Sequence, residues 1–128
     1  MPEAMNRNIV ERNPKVPPTF DPGNNYLLII GIDNYANPIP TLNNAVRDAK
    51  AFRDVLQSEY KFFKMQTIEL LNEDASRRNI LKTFDQLLEK LTENDNLVVF
   101  FSGHGEFHDL TKRGFWLPAD AAFEERYT

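Results

Sequence analysis

Apolar residues in this chain follow two different periods, and the alternation between them outlines a fold. From Tyr26 to Ile30 they run unbroken and close on Gly31, the pattern of a strand buried on both faces, as in a parallel sheet. Pro38 and Pro40 then hold "NYANPIPTLNN" in a loop. Beyond it, Ala45, Ala49, Phe52 and Leu56 fall at helical spacing, widened by Val46 and Val55, which predicts an amphipathic helix over residues 43 to 57. "MQTIELL" reads as a second strand. Ser76 or Asp74 is placed to cap a helix whose Ile80, Phe84, Leu87, Leu88 and Leu91 share one face. "ENDN" interrupts that helix before "LVVFF", which reads as a third buried strand. The following "EFHDLTKRGFWLPAD" divides into two short extended pieces around "TKRG", the signature of a hairpin.

The order strand, helix, strand, helix, strand predicts βαβ units, a mostly parallel sheet and helices on its faces, an α/β fold. Residues 1 to 24 hold five of the eight prolines and little periodic pattern, so they read as an arm, flexible or laid over the surface. The remaining residues, 25 to 128, make one folding unit.

Composition narrows the function classes. The hydrophobic share of 41% contains no run long enough to cross a bilayer, so a membrane role is not expected. Fifteen Lys and Arg against nineteen Asp and Glu leave a net charge of -4, and the cations are scattered, which disfavours nucleic acid as a partner. The polar N-terminus lacks the apolar core of a secretory signal, and the absence of cysteine excludes a disulfide framework. A cytoplasmic location is the expectation.

Candidate chemistry gathers where strands end. In open parallel sheets, functional groups collect beyond the carboxyl ends of the strands, and two loops qualify here: "GIDNYANPIPTLNNAVRDA" and "SGHGEFHD". If the first and third strands are neighbours, His104 can face Asp33, Asn34 or Asp48. Gly103 and Gly105 would let the backbone turn sharply and a substrate approach closely, and the Gly105 amide would be free to donate toward an oxyanion. An imidazole, whose unperturbed pKa lies near neutrality, suits general acid–base work, but on spacing alone a hydrogen-bonded structural histidine is the commoner reading. A nucleophile–base pair made of Ser102 and His104 is not expected. His104 and His108 have the i, i+4 spacing of a helical metal pair, but the glycine and extended context argue against a helix. "GIDNY" does not continue into a dinucleotide-binding fingerprint, and no P-loop is present.

Taken together, "YLLIIGIDNY", "LNNAVRDAKAF", "LVVFFSGHGE" and "GFWLPADA" resemble successive blocks of the caspase-like cysteine peptidases, above all the metacaspases and their bacterial relatives, over residues 26 to about 120. The resemblance implies the N-terminal part of a caspase-like three-layer α/β/α sandwich and a Cys–His dyad that hydrolyses peptide bonds. It makes His104 the catalytic histidine and Gly105 the source of an oxyanion-hole amide. Asp48 matches the acid that lines the pocket for the residue before the cut, implying cleavage after Arg or Lys, and Asp33 is assigned to substrate binding beside it. A first-turn helix acid helped by the macrodipole is the alternative for Asp48. The arginine pocket of caspases has no clear counterpart, although Arg47 adjoins Asp48.

No cofactor is implied, and calcium activation finds no support in the sequence. In that family the cysteine lies on a fourth strand beyond the "L-P-x-D" block, whereas these 128 residues contain none. Three explanations follow: a product of processing whose cysteine is on a partner polypeptide, a shortened polypeptide, or a natural domain that only binds. The tail Arg126-Tyr127-Thr128 does not end on a basic residue, so simple self-cleavage does not explain it. A sheet stopping at its third strand would expose an apolar edge, which favours a Cys-bearing companion as partner, with proteins or peptides as substrates. A non-catalytic α/β interaction domain and a small-molecule-binding domain stand as alternatives.

Overall fold

The computed structural model describes residues 23–60 and 65–122. Three parallel strands, β1 (Asn25–Gly31), β2 (Met65–Leu71) and β3 (Asn96–Ser102), form a sheet in the order β2-β1-β3. Helix α1 (Ala45–Glu59) connects β1 to β2, and helix α2 (Arg77–Lys90), preceded by a 3-10 turn at Asn72–Ala75, connects β2 to β3. A separate antiparallel hairpin follows, β4 (Gly105–His108) and β5 (Arg113–Trp116).

The central place of β1 explains its unbroken apolar run. Side chains alternate across a strand, so a strand flanked on both edges and covered on both faces has no polar side. Leu27 and Ile29 pack with Ala49 of α1, joined by Phe52, Leu56, Met65 and Phe100. Tyr26, Leu28 and Ile30 pack on the other face with Ile80 and Leu87 of α2. The helices therefore cover opposite faces, the α/β/α layering that the resemblance implies. Leu27, Leu28, Ile29 and Ile30 are fully buried, each contributing about 1.5–3 kcal/mol of hydrophobic stabilisation.

Two expectations need correction. The "LVVFF" strand is not buried like β1: it borders the sheet among the described residues, its side chains are mostly half-buried, and Val98 is 38% exposed. A continuous apolar run cannot by itself separate a central strand from an edge strand. Leu88 is 71% exposed, although it was expected on the packed face of α2. That face centres on Ile80, Thr83, Phe84, Leu87 and Leu91, and at about 100° per residue Leu88 falls on its flank.

Helix starts are set partly by distant residues. Asn44 precedes α1 but makes no side-chain cap; instead the amides of Ala45 and Val46 donate to the Asp33 carboxylate at 2.7 and 3.4 Å. For α2, Ser76 is the local cap, accepting from the Asn79 amide at 3.1 Å, while the Arg77 amide donates to Asp120 at 2.9 Å. This second bond ties the "LPAD" segment to the start of α2, reinforced by the Ala119 amide donating to the Ala75 carbonyl.

Most of the N-terminal arm, residues 1–22, lies outside the described residues; Asn24 is held, its amide donating to Asp95 at 2.7 Å. No helix among the described residues is long and apolar enough to cross a membrane.

Candidate functional site

Because β1 and β3 are parallel neighbours with Gly31 beside Ser102, the loops leaving them emerge together at one end of the sheet. The Ile32 amide donates to the Ser102 carbonyl at 2.9 Å and carries the pairing one residue further. Beyond this pairing the two segments run side by side, and the loop from Tyr35 to Pro40 lies against His104, which is half-buried.

His104 is held by backbone and side chain alike. Its amide donates to the Tyr35 hydroxyl at 3.0 Å, and its carbonyl accepts from the Leu117 amide at 3.0 Å. Its ring meets the Tyr35 ring edge-on at 5.0 Å. Nε2 lies 2.8 Å from the Pro40 carbonyl oxygen. A carbonyl only accepts, so Nε2 carries the proton, and in the neutral imidazole Nδ1 keeps the lone pair. A neutral imidazole fixed in this tautomer can take a proton at Nδ1 and return it.

Tyr35 is buried, and its hydroxyl donates to the Leu117 carbonyl at 2.9 Å. Burial is the main cause that pushes its phenol above the ordinary tyrosine value; the amide of His104 opposes this, and the charge of Asp33 adds to it. The hydroxyl therefore stays protonated, and a donor, throughout the neutral range.

Gly103 has its own reason to be glycine: a Cβ there would lie 2.6 Å from the Tyr35 hydroxyl and 3.0 Å from the Phe101 ring. The turn does not require it, since neither Gly103 nor Gly105 has a left-handed φ. Gly105 is exposed and opens β4, opposite Trp116 of β5. A cleft of about 210 Å³ runs beside the imidazole, lined by Pro38, Ile39, Pro40, His104, Gly105, Glu106 and Leu117.

The other residues singled out from sequence sit elsewhere. Asp33 is half-buried with its carboxylate engaged at the start of α1, and the amides of Asp33 and Asn34 both donate to the Asn72 side chain. Asp48 and Arg47 stand exposed on the first turn of α1. No hydrogen bond or ion pair among the described residues joins Asp33, Asp48 or Ser102 to the His104 ring. His108 caps the hairpin turn, its Nδ1 accepting from the Thr111 amide at 3.2 Å. No cluster of three or more His, Cys, Asp or Glu among the described residues could hold a metal ion.

Tyr35 and Leu117 were not named from sequence at all, and Pro40 only as a loop-setting residue, not as a partner of His104. Tyr35 and Leu117 lie inside the blocks that carry the family resemblance, but only sheet pairing brings residues 35 and 117 to residue 104.

The Peptidase C14 family model, described as the caspase domain, matches residues 24–125. A metacaspase-1 of Eremothecium gossypii is 31% identical over 96 residues, 69% of this chain and 21% of that protein. A metacaspase-1 of Plasmodium falciparum is 33% identical over 108 residues, 73% of this chain and 18% of the relative. A metacaspase-3 of Arabidopsis thaliana is 34% identical over 79 residues, 56% of this chain and 22% of the relative. The chain thus spans about a fifth of the length of these relatives.

Proposed function

This chain belongs to the caspase-domain family of cysteine peptidases, and we propose that it supplies the histidine half of a Cys–His endopeptidase whose thiol comes from outside these 128 residues. The observation that carries the proposal is the setting of His104: at the joined ends of two parallel strands, with Nε2 held on the Pro40 carbonyl and Nδ1 left to exchange a proton.

The chemistry follows in two halves. Nδ1 takes the thiol proton, and the thiolate attacks the peptide carbonyl carbon to give a tetrahedral oxyanion, toward which the Gly105 amide donates. Collapse breaks the C–N bond, the imidazolium returns its proton to the leaving amine, and an acyl-enzyme remains. Water, relieved of a proton by the same nitrogen, then attacks the thioester and releases the carboxylic acid and the thiol. Asp48 draws the cationic side chain of Arg or Lys at the residue before the cut, its exposed carboxylate being available for a charge-assisted contact. The apolar border of β3, with Val98 partly exposed, is where the cysteine-bearing strand would pair.

The test uses the complete protein in which this chain is joined to, or folded with, its cysteine-bearing part. Fluorogenic peptides with Arg or Lys before the reporter should be hydrolysed, and His104→Ala should lower kcat/KM by about 10²–10⁴-fold. Undiminished turnover in that variant refutes the role of His104. Asp48→Ala should weaken the preference for basic residues; an unchanged preference removes Asp48 from the pocket. Absence of hydrolysis by the wild-type protein would favour the alternative, a caspase-like interaction domain without catalysis.

A further inference from the structure

We propose that Tyr35 is a positioning residue for His104, its hydroxyl closing a ring of three hydrogen bonds that sets where the imidazole stands. The Tyr35 hydroxyl donates to the Leu117 carbonyl at 2.9 Å, the Leu117 amide donates to the His104 carbonyl at 3.0 Å, and the His104 amide donates back to the Tyr35 hydroxyl at 3.0 Å. Each member both gives and receives, so removing one hydroxyl leaves a donor on His104 and an acceptor on Leu117 without their partner. Tyr35 and Leu117 are 8% and 6% exposed, so bulk water is poorly placed to substitute.

Two further observations point the same way. The loop that carries Tyr35 also carries Pro40, the acceptor for His104 Nε2, and it is braced between them by the Ile39 amide donating to the Ala36 carbonyl at 3.0 Å. One loop therefore grips the histidine by its backbone at one point and by its ring at another. Gly103, the residue before the histidine, is shaped around the phenol, with room for no Cβ between them. The motif "SGHG" and the tyrosine are thus one assembly, with glycine giving the hydroxyl access to the His104 amide.

This inference rests on the peptidase reading above. A tyrosine that merely fills the core can be replaced by phenylalanine without consequence for catalysis, because the ring and its burial remain. A positioning hydroxyl cannot, since misplacement of a catalytic group by about 1 Å can cost about a hundredfold in rate.

The experiment compares wild type, Tyr35→Phe, Gly103→Ala and the double variant in the complete cysteine-containing protein. Steady-state hydrolysis is normalised to titrated thiol, and the pH dependence of thiol alkylation by iodoacetamide is measured alongside. Tyr35→Phe should lower kcat about 10- to 100-fold with little change in KM, and should move thiol alkylation to higher pH as the imidazole loses its station. Gly103→Ala should do the same, and the double variant should be no worse than either, because both open one circuit. If Tyr35→Phe does not fold, Gly103→Ala alone carries the measurement, with the same loss in kcat expected. An active wild type whose kcat and alkylation profile are unchanged by the variants overturns the inference while leaving the peptidase reading intact. An inactive wild type overturns both.

Discussion

Asp33 offers the sharpest test of how tertiary contacts start a helix. Its carboxylate accepts from the amides of Ala45 at 2.7 Å and Val46 at 3.4 Å, while Asn44, the residue in the local cap position, contributes no side-chain bond. Replacing Asp33 by alanine removes the short bond and also the negative charge facing the positive end of α1. A lost cap typically costs about 1 kcal/mol, and a charge at the first turn contributes about 0.3–1 kcal/mol. The longer contact to Val46 adds little at its distance. The expected loss is therefore about 1.3–2 kcal/mol.

Asp33→Asn, which keeps an acceptor oxygen but loses the charge, should cost about 0.5 kcal/mol and should do so less at high salt. Urea titration followed by far-UV circular dichroism reads the helices, and fluorescence of the single tryptophan, Trp116, stacked on Phe101 at 4.6 Å, reads the hairpin against β3. Coincident midpoints by the two probes would justify a two-state treatment. A stability unchanged in Asp33→Ala sinks the capping argument. If that variant, in the complete cysteine-containing protein, also lost selectivity for basic peptides, Asp33 would serve the substrate pocket as well as the helix.

Two other perturbations test separate parts of the structure. Gly31→Ala would bring a Cβ to 2.9 Å from Ala49 Cβ and 3.2 Å from Val46 Cα, so α1 must shift off β1 at a cost of about 1–3 kcal/mol. Because Ala49→Gly itself costs about 1 kcal/mol inside a helix, the clash is read from the cycle: Gly31→Ala should cost less in the Ala49→Gly background than in the wild type, and an equal cost in both would argue against it. The Asp95 carboxylate is held below the usual aspartate range chiefly by the Asn24 amide and then by the Thr92 amide. Because the folded state binds this proton less readily than the unfolded chain, the contribution is full above the unfolded value of about 4 and disappears as pH falls through the lowered folded value. Asp95→Asn should accordingly flatten the acid limb of stability below about pH 4 in urea midpoints taken from pH 3 to 6; parallel limbs in the two proteins would contradict it.

What the amino-acid sequence determined by itself was what depends on local period and composition. Strand and helix identities follow from side chains repeating every two or every 3.6 residues, and those periods belong to the backbone. They determined the α/β class, the double-faced burial of β1, a cap for α2 at Ser76 or Asp74, of which the structure uses Ser76, and the hairpin after His104. The blocks around "SGHG" and "LPAD" were enough to carry the family resemblance, which the match over residues 24–125 bears out.

Only the tertiary structure decided which apolar surfaces meet and which polar groups pair. An apolar strand is the same string of letters at the centre or the border of a sheet, so β3 looked as buried as β1 until strand order separated them. Leu88 and Leu87 differ by one position in sequence, but by about 100° around the helix axis, and only the docking of α2 determines which is covered. The setting of His104 was the least legible part. Its partners Tyr35, Pro40 and Leu117 lie far from it or from one another along the chain, Tyr35 and Leu117 being 82 residues apart. They come together because β1 and β3 run parallel in register and the hairpin folds Leu117 back onto His104. Hydrogen bonds of about 3 Å depend on that register, which no local period encodes.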